Sequence, residues 1–592
     1  ATMALKAAPM MSWNRTWRAG AIGAGLTVAA LATVMVLRLF GLGPAASLLN
    51  AGTIGKDSRV LVAQFVSTTA DTSLGTVVAA AMRTSLGQSS AIQLVGAGDV
   101  ASGLKRMKLP DSAPLDEKTA QMMMAVRDGI PLIVTGTVSS VGPGFMVTAN
   151  LVRADSGTAL FTVQQGASGA SDILDAVDKV AKGMRSRIGE SLRSVARSPA
   201  LERATTSSLS ALREFSRALE AGDQHGDWES GRRHILAALK EDSTFAAAWR
   251  KLAVYAQNAA APQSEVFAAI AAAYRFRERL TDDERAEVEA YYMLMQSTRQ
   301  GVILYGEHPS LSQNNRGLSL NALGEYAAAE SVLTAAIAKD SASGKHPIVQ
   351  LYVNLLVSQI ALRQSDAANR TMATMRRDFA GSPSLDRSEL WAATTGGGLD
   401  SVTAVATTQL HKVSGASRAI AARVVANAAI ARGQLRRADP LLRTAGMVED
   451  TTKYAFDPVG NRASEIVYAS VLRGAEAAGV HQLDSLVSAG GGRKLPVLDR
   501  PDLALASAYA QLGRADKARA LISEFERGAS REERLIRWGE LQGARGEVAL
   551  AEGRTGDAIT AFRTATYSDS GNVEPAGWSR TDMRLARAFD KA

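Results

Sequence analysis

Residues 315–336 read NRGLSLNALGEYAAAESVLTAA, and the spacing of small and apolar residues in them predicts a helical hairpin. Two helical runs meet at Gly324, a residue suited to the left-handed turn between helices. Gly317, seven residues earlier, leaves room for two backbones to cross closely. Ala329, Leu333 and Ala336 recur at the spacing of one helix face, so they form the buried side of the second run. One such pair cannot cover its own apolar face, and a stack of neighbours is expected.

The same frame recurs at Ala426, Gly433, Ala438, Leu442 and Ala445, and again at Ala506, Tyr509, Gly513, Ala518 and Ile522. Gly546, Gly553, Ala558, Phe562 and Ala565 repeat it around the sequence GDAITAFRTA. In each copy the turn Gly follows the crossing residue by seven, the second-helix Ala follows by five, and a large apolar residue by four more. The turn glycines 324, 433, 513 and 553 are 109, 80 and 40 residues apart, which leaves room for diverged copies around 351–375 and 466–480. A degenerate pair is expected at 208–239 and 245–255. These segments resemble the tetratricopeptide repeat, a helix–turn–helix of ~34 residues. The resemblance implies an all-α superhelical solenoid over residues 205–592, whose first helices line a concave side that holds a protein or peptide. On that frame the polar groove candidates are Asn314, Asn321, Arg423, Asn427, Ser507, Gln511 and Glu547.

Residues 57–195 follow a different pattern. Strands are expected at 59–66, 92–95, 131–138, 145–152 and 158–163, and helices at 71–86, from Asp99 to about 109, at 116–127 and at 171–195. The turns Gly142-Pro143-Gly144 and Asp155-Ser156-Gly157 suit hairpins. The order βαβααβββα is that of a mixed sheet with helices. VLVAQF, then VTGTVSSVGPGFMVTANLV at 134–152, then ADSGTALF at 154–161 resemble the TolB-like domain that precedes tetratricopeptide arrays in bacteria, and the resemblance implies a non-enzymatic module.

Upstream, residues 19–37 contain no charged side chain, close to the ~20 residues that cross a ~30 Å hydrocarbon core. Lys6, Arg15 and Arg18 precede this stretch and Arg38 follows it. The distribution of charge predicts a cytoplasmic N-terminus (1–18), a transmembrane helix (19–40), a linker (41–56) and everything else outside the cytoplasm, in a single-pass protein of the inner membrane. A cleaved signal peptide ending near residues 43–47 is the competing reading. Gly20, Ala24, Gly25 and Ala29 offer small-residue spacing through which two such helices could pair as a homodimer.

The net charge of +9 is dispersed. Residues 1–54 contribute +4, residues 55–195 +2 and the remaining 397 residues +3, so no concentrated basic face for nucleic acid is expected. The chain has no cysteine, which excludes disulfides and thiolate chemistry. Its six histidines show no HExxH spacing. Gly96-Ala97-Gly98 has Ala101 where a dinucleotide loop needs glycine, so Gly98-Asp99 reads as a turn and helix cap. Met122-Met123-Met124 and the acidic runs Asp116-Glu117 and 282–284 read as core filling and helix starts.

The domain series, with TTSSLSALREFSRALEAGD at 205–223 and FRERLTDDERAEVEAYY at 276–292, is similar to the C-terminal half of bacterial membrane-anchored Ser/Thr kinases. Kinase motifs are missing from this sequence. The expectation is therefore a membrane-anchored scaffold or sensor, without enzyme activity, cofactor or metal. The alternatives are the sensory portion of a receptor kinase whose catalytic domain lies on sequence upstream, and an accessory subunit of a larger membrane complex. Ala1-Thr2-Met3 and the helical run at 585–592 read as cut ends, with Met3 a possible start.

Overall fold

A computed structural model describes residues 47–566 and 580–592, apart from segments at 50–51, 56–57, 111–112, 127–129, 199, 202–204, 225–226, 260, 309–310, 343–346, 381, 414, 453–457 and 490–493. The apolar stretch 19–40 lies outside the described residues. Among those described, no helix is long and apolar enough to cross a membrane. Contacts divide the chain into two compact units, Ala1–Ser216 and Arg217–Ala592.

The first unit runs β1 (Ser58–Val62), β2 (Val66–Ser67), α1 (Leu74–Leu86), β3 (Ile92–Leu94), α2 (Ala97–Arg106), α3 (Glu117–Val126), β4 (Leu132–Val141), β5 (Gly144–Arg153), β6 (Ala159–Ala167), α4 (Ile173–Ile188) and α5 (Leu192–Arg197), with α6 (Leu209–Leu219) at its end. The sheet order is β3-β1-β4-β5-β6, parallel from β3 to β4 and antiparallel beyond. The order of elements matches the sequence pattern, with two differences of substance. The strand expected at 59–66 is two strands, both paired in parallel with β4. Between them the chain leaves the ladder so that buried Phe65 can lie over Gly136, where a Cβ would collide with the ring. The helix expected to reach 195 stops at Ile188, because Gly189 at φ 126° turns the chain and sends Glu190 inward. Asp99, expected as a cap, sits inside the first turn of α2 and pairs with Arg59 at 2.6 Å. Met123 fills the core between α3 and the sheet, whereas Met122 is exposed.

The second unit continues with α7 (Trp228–Glu241), α8 (Ala246–Asn258), α9 (Gln263–Arg275), α10 (Asp282–Gln296), α11 (Thr298–Glu307), α12 (Gln313–Ala322), α13 (Tyr326–Ala342), α14 (Val349–Ala361), α15 (Ser365–Asp378), α16 (Pro383–Lys412), α17 (Gly415–Ala431), α18 (Leu435–Thr452), α19 (Pro458–Arg473), α20 (Glu476–Ala489), α21 (Asp502–Gln511), α22 (Ala515–Gly528), α23 (Arg531–Ile536), α24 (Trp538–Ala551), α25 (Thr555–Thr566) and α26 (Arg580–Asp590). Helix α16 breaks at Gly398, whose φ of 64° and ψ of −143° are not helical, so it is itself a hairpin. Residues with φ between 57° and 78° therefore stand at 324, 363, 398, 433, 474, 513 and 553. They mark seven successive hairpins, 39, 35, 35, 41, 39 and 40 residues apart. The long gaps between the glycines recognised in the sequence are filled by turns at Arg363, Gly398 and Gly474. In the hairpin turning at Arg363, Leu356, Ala368, Met372 and Met375 keep the expected offsets and are buried. The array is a tetratricopeptide-like solenoid.

Its curvature follows from which helices touch. First helices pack on first helices (α12 on α14, α14 on α16, α19 on α21, α21 on α24), and no comparable packing joins successive second helices among the described residues. Side-by-side contact on one layer alone bends the row toward that layer, so the first helices form the inner face. The array also returns upon itself. Helix α9 packs on the short turn Val497–Asp499, and α10 on α23. There the Asp499 carboxylate accepts the Ser264 backbone N–H at 3.0 Å and the Ser264 hydroxyl.

Candidate functional site

The seven polar groove candidates lie on the first helices, three residues before or one, four or five residues beyond a crossing residue. Their side chains mostly join hairpins. Asn314 on α12 accepts a hydrogen bond from Asn354 Nδ2 on α14 at 3.0 Å. Asn321 is buried, donating to the Asn354 carbonyl at 2.8 Å and accepting from Ser358 Oγ at 2.8 Å. Arg423 on α17 pairs with Glu465 on α19. Gln511 donates to Glu547 Oε1 at 3.0 Å, and the same buried carboxylate meets Arg584 Nε at 3.1 Å and Arg587 Nη1 at 3.3 Å. Two guanidinium groups and an amide replace the water that a buried carboxylate loses. Ser507 is buried and bonds back to the Leu503 carbonyl of its own helix at 3.0 Å. Asn427 alone of the seven candidates is exposed. The structure thus distributes the seven along the inner row and engages most of them as joinery between repeats.

One helix departs from this arrangement. On α19 the crossing residue is Val467, seven before Gly474, and the positions one, four and five beyond it hold Tyr468, Val471 and Leu472. They are 42%, 47% and 53% exposed. Among the described residues no other first helix of the seven hairpins leaves large apolar side chains this open. The packing explains it: α17 and α19 approach over a much shorter stretch than the first helices at the joints named above, meeting through the Arg423–Glu465 pair. These three residues escaped the sequence reading because this hairpin has Gly479 at the second-helix Ala position, pressed so closely on Ser470 that a Cβ would collide. The signal was nonetheless present in Val467, Gly474 and Leu483, at the same offsets as the other copies.

The second-helix side carries ion pairs and amide bonds between neighbours at a separation of 34 residues, such as Arg473–Asp439 at 3.0 Å and Gln364–Glu330 at 3.1 Å. Each exposed pair contributes ~0–1 kcal/mol, so they set register more than they add stability. Elsewhere, Lys251 donates to Asp223 at 2.6 Å and Tyr255 to the same carboxylate at 2.9 Å. Desolvation lowers the Lys251 ammonium from its ordinary value, against the attraction of Asp223. Among the described residues, no group of three or more His, Asp or Glu side chains could hold a metal ion.

No family model and no curated protein matches the chain. Among solved structures it is similar to the hetero-tetramer Cut9–Hcn1 of the APC/C, at 12% identity and TM-score 0.29, over 64% of this chain and 76% of that one. It is also similar to the tetratricopeptide domain of P58(IPK), at 11% identity and TM-score 0.18, over 64% of this chain and 98% of that one. A third likeness, to the LpoB C-terminal domain from Salmonella enterica, has 13% identity and TM-score 0.18 and covers 20% of this chain and 89% of that one. The repeat architecture rests on the hairpins' own geometry: seven left-handed turns, a small or apolar crossing residue before each, and an inner row of first helices.

Proposed function

We propose that this chain is a membrane-tethered scaffold that holds a segment of another protein on the inner face of its helical array, outside the cytoplasm, and performs no chemistry itself. The observation that carries the reading is the exposed trio Tyr468, Val471 and Leu472 on a row of first helices that otherwise exposes no large apolar side chain among the described residues. Interfaces concentrate their energy in a few apolar and aromatic anchors surrounded by polar contacts, and a single tyrosine with two aliphatic neighbours has that composition. Residues 19–40 supply the tether, with the α/β unit between it and the array in sequence. The TolB-like resemblance of that unit fits a non-enzymatic module.

The test is affinity capture with the tagged full chain in mild detergent, identification of the bound protein, and titration of that purified protein. The double change Tyr468→Ala and Leu472→Ala is expected to weaken binding by about 30-fold, the ~2 kcal/mol scale of an interface anchor. Arg423→Glu with Asn427→Ala is expected to weaken it further. Binding that ignores both pairs of changes removes the inner face from the account. A reporter fused after residue 592 that proves active only in the cytoplasm would remove the topology.

A further inference from the structure

Among the described residues, the joint between the hairpins α17–α18 and α19–α20 is the least closely packed in the array. Helix α17 meets α19 only narrowly, and α18 meets α19 over a short stretch. The two hairpins are tied by Arg423–Glu465 on one side and Arg473–Asp439 on the other. A cleft of about 760 Å³ opens at this joint, lined by Gln434, Leu435, Arg436, Arg437, Asp439 and Arg473. The cleft is open to solvent, as a surface that holds an extended segment needs to be.

The charges in and around the cleft do not balance. Asp439 is engaged by Arg473, and Arg432, just before the turn, is engaged by Asp400. Arg436 and Arg437 are exposed and have no acidic partner among the described residues. The cleft therefore presents two guanidinium groups without a counter-charge beside the half-buried apolar side chain of Leu435. A guanidinium fork matches a carboxylate with two parallel hydrogen bonds. Two such forks at one cleft, flanked by acids already in use, make a point of positive charge rather than the stripe that nucleic acid requires.

We infer that this cleft binds an acidic segment of a protein partner, with a pair of Asp or Glu side chains on Arg436 and Arg437 and an apolar residue between them against Leu435. The inference rests on the reading of the array as a holder of protein segments, and adds a second surface and the chemistry of its occupant. The experiment uses the full chain and a fluorescein-labelled peptide carrying two Glu residues around a Leu, with its Gln and Lys analogues, read by fluorescence anisotropy. The Glu peptide is expected to bind at least tenfold more tightly than the Gln peptide, and more weakly as salt rises. Arg436→Glu with Arg437→Glu is expected to reverse the preference in favour of the Lys peptide while leaving the thermal melt unchanged. Glu and Gln peptides that bind alike, or a double variant that keeps the original order, would overturn the inference. So would tighter binding to phosphatidylserine vesicles than to the Glu peptide, with the same dependence on these arginines. If the captured partner survives the charge reversal but is lost with Tyr468→Ala and Leu472→Ala, the inner-face reading stands and the cleft is dismissed.

Discussion

Arg185 and Glu190 meet at 2.7 Å with side chains 0% and 1% exposed. Burial by itself would raise the Glu190 carboxyl, but hydrogen bonds from Arg185, Ser194 and Ser89 outweigh it and hold the group at about 2. A carboxylate depressed in the folded state adds stability above its unfolded value near ~4.3 and loses it as pH falls through the folded one. The first unit is therefore expected to weaken between about pH 4.3 and 2. Glu190→Gln strands the Arg185 charge, and its expected cost at neutral pH is roughly 3–5 kcal/mol. Urea unfolding from pH 7 to 2 checks both points: parallel curves for the two proteins would show that Glu190 is not the titrating group. Gly546 makes a second residue-level case, since a Cβ there would overlap the ring of buried Phe562. Gly546→Ala is expected to cost about 1–3 kcal/mol through overpacking, read as a lowered thermal midpoint.

The hairpin is the unit in which these residues act, and its turn is the most constrained part. Arg363 occupies at φ 57° the place that glycine takes in the other six hairpins. A left-handed conformation costs a side-chain-bearing residue ~1–2 kcal/mol, of which the extra unfolded-state freedom of glycine returns ~0.5–1. Arg363→Gly is thus expected to stabilise the array by roughly 0.5–1 kcal/mol in chemical denaturation, and a loss of stability would mean that the Arg363 side chain contributes more than its backbone costs. The same turn shows why part of the array was legible in the sequence and part was not. Gly324, Gly433, Gly513 and Gly553 announce their hairpins because glycine is the cheapest answer to a left-handed turn. Arg363 gives the same backbone without the letter, and Gly398 stands among neighbouring glycines that blur its frame. In the α/β unit, alternation and turn chemistry placed the strands, while the break at residues 63–65 depends on Phe65 meeting Gly136 some seventy residues later. Groove residues were the least legible, because one register serves both the stitched Asn321 and the open Val471.

At the scale of the helical unit, the tie between Ser264 and Asp499 spans 235 residues. Pro262 opens α9 without a side-chain cap, and the Asp499 carboxylate supplies the acceptor that a capping residue would provide. Asp499→Ala is expected to cost about 1 kcal/mol and to quicken amide hydrogen exchange in the first turn of α9, leaving exchange in α24 and α25 unchanged. Unchanged exchange at residue 264 would show that packing of α10 on α23 closes the array unaided. Most other contacts in the array join hairpins about forty residues apart or nearer, so they can assemble as the polypeptide emerges during synthesis. Helix α9, by contrast, is made long before Asp499 exists, and its first turn waits uncapped until nearly six further hairpins have left the ribosome. Closure is in consequence a late event in biogenesis, and a nascent chain stalled before residue 499 displays an open spiral to whatever chaperone or partner reaches it first.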